Sequence, residues 1–175
     1  MMDDSKHSAY VSLAKQALET YIINGETISP MPGLPKDMIE RKAGVFVLIK
    51  NNGQLRGCIG TIRPTRENIA QEIIQNAIAA GTRDPRFYPV SRDELKNLSY
   101  LVDVLKEFEP VETIKKLDKD KYGVLVTSQN RSGLILPGLE GIETVKHQIY
   151  MALERAGIGP SEPYDIYRFK VERYS

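Results

Sequence analysis

Residues 44–62 read GVFVLIKNNGQLRGCIGTI, two β-rich runs joined by Asn52-Gly53. That dipeptide suits a type I′ turn, whose two central residues both need positive φ. The stretch therefore predicts an antiparallel hairpin in which Asn51 pairs with Gln54. Continued evenly, this register sets Cys58 opposite Val47, Arg56 opposite Ile49 and Ile59 opposite Phe46. Side chains alternate across a strand. One face would then carry Phe46, Leu48, Leu55 and Ile59 and form the core. The other would carry Val47, Ile49, Arg56 and Cys58, with the arginine on the thiol's side roughly 6–7 Å along the strand.

Upstream of the hairpin, Val11, Ala14, Leu18, Tyr21 and Ile22 recur at helical spacing, and Gly25 stops the run. ISPMPGLP reads as an irregular loop, and Pro35 opens a short helix ending near Gly44. Downstream, Thr65 is expected to cap a helix to about Ala80, with Gly81 past its end and Ile69, Ile73, Ile74, Ala77 and Ile78 on its apolar stripe. Pro85 excludes Asp84 from any helix. Ser91 and Glu94 form a capping-box pair, followed by the strand YLVDVLKEF. YGVLVTSQNRSGLILP predicts a second hairpin turning within Gln129–Gly133, and Val145 to Ala156 a last helix closed by Gly157. DIYRFKVERY alternates as a final strand, with Tyr167, Phe169 and Val171 on one face. Helices mixed with antiparallel hairpins predict an α+β fold, and the short linkers a single domain over residues 1–175.

Composition narrows the function. A net charge of +1 gives no global attraction to nucleic acid or anionic membrane. A single cysteine forms no internal disulfide, which points to a reducing compartment. MMDDSKHSAY has no apolar signal core, and no run approaches a membrane span, so a cytoplasmic protein is expected. The two histidines, His7 and His147, read as surface residues, and no cluster has metal-ligand spacing, so neither metal nor cofactor is expected.

Cys58 then admits two readings. Lone cysteines usually behave as small buried hydrophobes. An adjacent arginine favours thiolate, and the flanking Gly57 and Gly60 mark close approach by a ligand or another backbone. The arginine usage sharpens the second reading. Residues 56–92 hold six arginines and no lysine, whereas the rest of the chain has thirteen lysines and five arginines. Arginine offers a planar fork for carboxylate or phosphate and tolerates partial burial. In RDPRF, Asp84 either pairs with Arg83 or Arg86 to pin the loop, or leaves one of them to hold an anion near the RGCIG strand. Arg63 and Arg66 fall at a solvated helix start.

GVFV, LRGCIGT, DPRF, YGV and GLILP, in this order, resemble the AMMECR-type domain family over about Val11 to Tyr174. YGV and LEGIETVKHQ are similar to its prokaryotic branch, AmmeMemoRadiSam system protein A. That branch usually has LPDLEG where this chain has Gly138 in place of the aspartate. The resemblance implies an α+β fold of two unequal lobes, the larger containing both termini, with LRGCIG facing the cleft between them. It also implies companions, a radical SAM enzyme and a Memo-like protein, but no reaction.

Two functions follow as expectations. The first is an enzyme or enzyme component binding a small anionic metabolite or acidic peptide in the cleft. Cys58 and Arg56 are its candidate catalytic residues, and Gly57, Gly60, Thr61, Arg83, Asp84 and Arg86 line the ligand site. The second is a non-catalytic module presenting a substrate to those companions, with Cys58 as packing. RNA binding is disfavoured, since the charge is near zero and no aromatic pair accompanies the basic residues.

Overall fold

The computed structural model describes residues 4–175, as mixed helices and antiparallel sheets. They form two compact units, one running to Val104 and joined by Glu172–Ser175, the other Leu105–Val171.

In the first unit come α1 (Asp4–Asn24), α2 (Lys36–Glu40), the hairpin β1 (Val45–Asn51) and β2 (Gln54–Gly60), then α3 (Ile69–Thr82). A 3-10 helix, Arg92–Asn97, leads into β3 (Leu98–Leu105). The hairpin starts as expected, with Asn51 opposite Gln54 and Lys50 opposite Leu55. Beyond Lys50 it shifts by one residue. Ile49 faces Gly57, Leu48 faces Cys58, Val47 faces Ile59 and Phe46 faces Gly60, so Arg56 is the extra residue of a β-bulge. Two expectations fail in consequence. The core face is Val45, Val47 and Ile49, all 0% exposed, joined by Ile59, whereas Leu55 is 41% exposed. Phe46 and Leu48 share the opposite face with Cys58, and Arg56 drops out of the even alternation that would have set it opposite Ile49.

Helix packing explains the bulge. A Cβ on Gly57 would stand 2.1 Å from the Ala80 carbonyl oxygen of α3, so only glycine fits opposite Ile49. An even register would drive Arg56 into that space. Over the core face lie Tyr10, Leu13, Ala14, Ala17 and Leu18 of α1 and Ile69, Ile73 and Ala77 of α3. Each such large side chain contributes ~1.5–3 kcal/mol on burial. The stripe of α1 is thus centred on Tyr10, Leu13 and Ala17 rather than Val11 and Tyr21.

Helix α3 also differs at both ends. Asn68, not Thr65, is its N-cap, accepting from the Gln71 N–H, because Thr65 is bonded to Glu72. The helix continues through Gly81, which makes room for Leu18.

The second unit holds β4 (Glu109–Pro110), β5 (Gly123–Ser128), β6 (Arg131–Ile135), α4 (Val145–Ala156) and β7 (Asp165–Phe169), with sheet order β4-β7-β5-β6. The β5–β6 turn is Gln129-Asn130, with Gln129 at φ 53°. Here too a glycine admits a helix, since a Cβ on Gly133 would lie 2.0 Å from the Ala152 carbonyl oxygen of α4. Thr144 caps α4 and Gly157, at φ 65°, closes it. His147 is half-buried on this helix, while His7 lies outside the residues whose side chains are described. The C-terminal run is not one strand. It breaks at Lys170 into β7 and β8 (Val171–Tyr174), and β8 joins the other sheet, ordered β2-β1-β3-β8.

Candidate functional site

Strand β2 is at a sheet edge, so half its main-chain groups lack a strand partner. The loop after α3, which Pro85 keeps from extending the helix, returns to that edge. The Cys58 N–H donates to Asp84 Oδ2 at 2.9 Å. Asp84 Oδ1 accepts from the Arg86 N–H at 3.1 Å and from Arg86 Nε at 3.0 Å, and Arg86 Nη2 donates to Oδ2 at 2.7 Å. The Asp84 residue is only 4% exposed. Burial pushes its carboxyl up, but the Arg86 side chain and the Cys58 and Arg86 N–H groups outweigh that and hold it down at about 2.

Arg56, the extra residue of the bulge, is occupied by other partners. Its Nε and Nη2 donate to the Glu94 carboxylate at 2.7 and 3.1 Å, and Nη1 donates to the Tyr88 carbonyl at 2.9 Å. The Asn51 amide and the Ser91 N–H donate to the same carboxylate. The hydrogen bonds from Arg56, helped by Ser91 and Asn51, overcome burial and lower Glu94 to about 2. The capping box expected at Ser91 is therefore present, and its glutamate also fixes Arg56.

The expected site residues separate into groups. Cys58, Asp84 and Arg86 come together. Cys58 is half-buried, and the Asp84 carboxylate that accepts its N–H also holds Arg86, so Arg86 is the cation fixed next to this stretch of β2. The Arg86 side chain is 47% exposed. Its guanidinium and that of Arg56 lie 5.5 and 5.9 Å from the Phe87 ring centroid. Arg83 is exposed and, among the described residues, its side chain makes no hydrogen bond or ion pair. The missing side chains of Gly57 and Gly60 make room for protein: Ala80 fills the first space and the Phe46 ring the second.

Thr61 belongs to a polar network that pattern reading missed. Glu72, fully buried, accepts from Thr61 Oγ1 at 2.8 Å, the Thr65 N–H and hydroxyl at 2.9 and 2.7 Å, and the Arg66 N–H at 2.9 Å. Asn76 Nδ2 donates to the Val45 carbonyl at 2.9 Å. The available signal was two polar residues one turn apart beside the α3 stripe. Gly138 has φ 64°, a conformation that aspartate also reaches, so the backbone does not demand glycine there.

An α+β chain with RGCIG on an edge strand and DPRF capping that strand defines the class. The chain belongs to the AMMECR1 family, whose model matches residues 11–174. A Thermotoga maritima protein is 48% identical over 167 residues, spanning 94% of this chain and 96% of its own length. A Clostridium acetobutylicum protein is 50% identical over 166 residues and 94% of this chain, which spans only 35% of that relative. The crystal structure of an uncharacterized protein from Pyrococcus horikoshii superposes with a TM-score of 0.90 at 30% identity, covering 98% of this chain and 91% of that one.

Proposed function

We propose that this protein is a binding component of an enzyme system, taking an anionic ligand, a small metabolite or an acidic peptide, beside Cys58. The observation that carries this reading is Arg86. Asp84 locks its guanidinium through one edge, nearly half of the side chain faces solvent, and the same carboxylate accepts the Cys58 backbone N–H. A guanidinium fixed in this way loses little further entropy on meeting a carboxylate or phosphate. Cys58 then presents a thiol beside the bound anion. The companions are a radical SAM enzyme and a Memo-like protein, as in the AmmeMemoRadiSam branch, and the setting is the cytoplasm. Among the described residues no helix is long and apolar enough to cross a membrane.

Paired alkylation tests this. Iodoacetate carries the charge that Arg86 attracts, whereas iodoacetamide is neutral and of similar size. In the parent, iodoacetate should react with Cys58 faster relative to iodoacetamide than it does with free cysteine, and Arg86→Gln should abolish that preference. Equal preference in the parent and the variant would sink the reading.

A second reading is a substrate-presenting module with Cys58 as packing. It is favoured by the fact that Arg56 and Asp84 are held in internal ion pairs and Gly57 and Gly60 are filled by Ala80 and Phe46. Inertness of Cys58 toward both reagents in the folded protein would select it.

A further inference from the structure

Two adjoining concavities lie within the first unit, and Cys58 lines neither. One, of about 620 Å³, is bounded by Lys42, Pro64, Thr65, Arg66, Glu67 and Gln71. The other, of about 240 Å³, lies between Thr27–Pro30 and the Ile74-Gln75 turn of α3, and it shares Arg66 and Gln71 with the first. Together they form a groove of the size that ligand sites occupy.

The groove is cationic at one end. Lys42 and Arg66 are exposed, and among the described residues neither side chain makes an ion pair. The acids around them are engaged. Glu72 is buried on Thr61, Thr65 and the Arg66 N–H, Asp37 pairs with Arg41, and Glu40 pairs with Lys36. Glu67 is the single acid in the lining. Because Glu72 accepts the N–H groups of both Thr65 and Arg66, the backbone that carries Arg66 is pinned.

The other end offers main-chain and amide groups. Among the described residues, Thr27, Ile28 and Ser29 neither donate nor accept a backbone hydrogen bond. Across from them, Gln71 and Gln75 stand one turn apart on α3, a spacing that puts both amides on one helix face. Gln71 Oε1 accepts a weak bond from the Glu67 N–H at 3.4 Å, which leaves its NH₂ group as a donor, and Gln75 makes no side-chain hydrogen bond among the described residues. Ile28 and Ile74 supply the apolar part of the wall.

We infer that this groove binds the C-terminal end of an acidic peptide chain. The terminal carboxylate lies between Lys42 and Arg66. The peptide main chain pairs with the unpartnered groups of Thr27–Ser29 on one side and with the Gln71 and Gln75 amides on the other. An apolar side chain rests on Ile28 and Ile74. Main-chain pairing supplies affinity in such grooves, and capture of the charged end sets the register. A single small anion would use the Lys42–Arg66 end and leave the Thr27–Ser29 side empty.

The test uses the whole chain, isotopically labelled, and two randomised hexapeptide pools with aspartate next to the last residue. One pool ends in a free carboxylate and the other in an amide. The free-carboxylate pool should shift the Thr27–Ser29 backbone signals and the Gln71 and Gln75 side-chain amide signals. The amidated pool should bind about tenfold more weakly, as expected for loss of a charge-assisted contact. Arg66→Gln should weaken the carboxylate pool by about the same factor, with an unchanged thermal midpoint. Gln75→Ala should weaken both pools. Equal binding of the two pools, no shifts at millimolar peptide, or shifts with inorganic phosphate but not with peptide would each overturn the inference.

Discussion

The Asp84 carboxylate accepts the Cys58 backbone N–H at 2.9 Å while holding Arg86 through two further side-chain hydrogen bonds. The bond to Cys58 gives the edge strand the partner that its sheet does not provide, and the pair to Arg86 leaves one cation beside the thiol. Edge protection and the candidate ligand site therefore hang on the same side chain.

Asp84→Asn should expose that dependence. The amide keeps one carbonyl oxygen but loses the second acceptor and the charge that pairs with Arg86. Breaking a buried charged network of this kind costs about 2–4 kcal/mol. Urea unfolding should read a loss in this range, together with faster hydrogen exchange at the Cys58 amide. An unchanged midpoint would mean that the loop is not fastened through this carboxylate.

Acid should act through the same groups. Asp84 and Glu94 both fall to about 2 in the folded chain, from ordinary values of 3.8 and 4.5. A folded pKa below the unfolded one adds stability that is complete above the unfolded value and fades as pH falls toward the folded one. Stability should therefore drop between about pH 5 and 2, and the slope should flatten in a variant combining Asp84→Asn with Glu94→Gln. A parent whose unfolding free energy is level over that interval would contradict the two pairs.

Arg56→Gln separates Arg56, which an even hairpin register would set on the thiol's side, from Arg86. It removes the fork on Glu94 and the bond to the Tyr88 carbonyl, so residues 84–90 should become more susceptible to protease. The ratio of iodoacetate to iodoacetamide rates at Cys58 should stay at the parent value, since Arg86 is the nearby cation. A fall in that ratio as large as that of Arg86→Gln would put Arg56 back beside the thiol.

Gly57→Ala and Gly133→Ala should both be severe, because each new Cβ would enter a helix carbonyl at 2.1 or 2.0 Å and backbone cannot yield as a flexible side chain can. Overpacking of this kind costs ~3 kcal/mol or more. A thermal melt near the parent midpoint for either variant would mean that the helix can retreat from its strand.

Much of this was legible in local sequence. Asn52-Gly53 announced its hairpin, Ser91 and Glu94 their cap, and Gly157 the end of α4, since each signal acts through neighbours a few residues away. LRGCIG was legible as a family mark, but the partners of its residues were not. The pairing of Arg56 with Glu94 spans 38 residues and that of Cys58 with Asp84 spans 26, and no periodicity encodes which charge meets which.

Sequence alone determined the α+β class, the two hairpins and the order of the elements, because turn chemistry and apolar spacing are short-range properties. Tertiary structure decided the rest. The bulge at Arg56 exists because α3 lies so close to β2 that only Gly57 fits beneath Ala80. DIYRFKVERY divides between two sheets because β5 and β3 offer separate edges, although its alternation runs on unbroken through Lys170. Strand partners and close helix contacts are chosen by the free energy of packing elements distant in the chain, so they could be read only once those elements were in place.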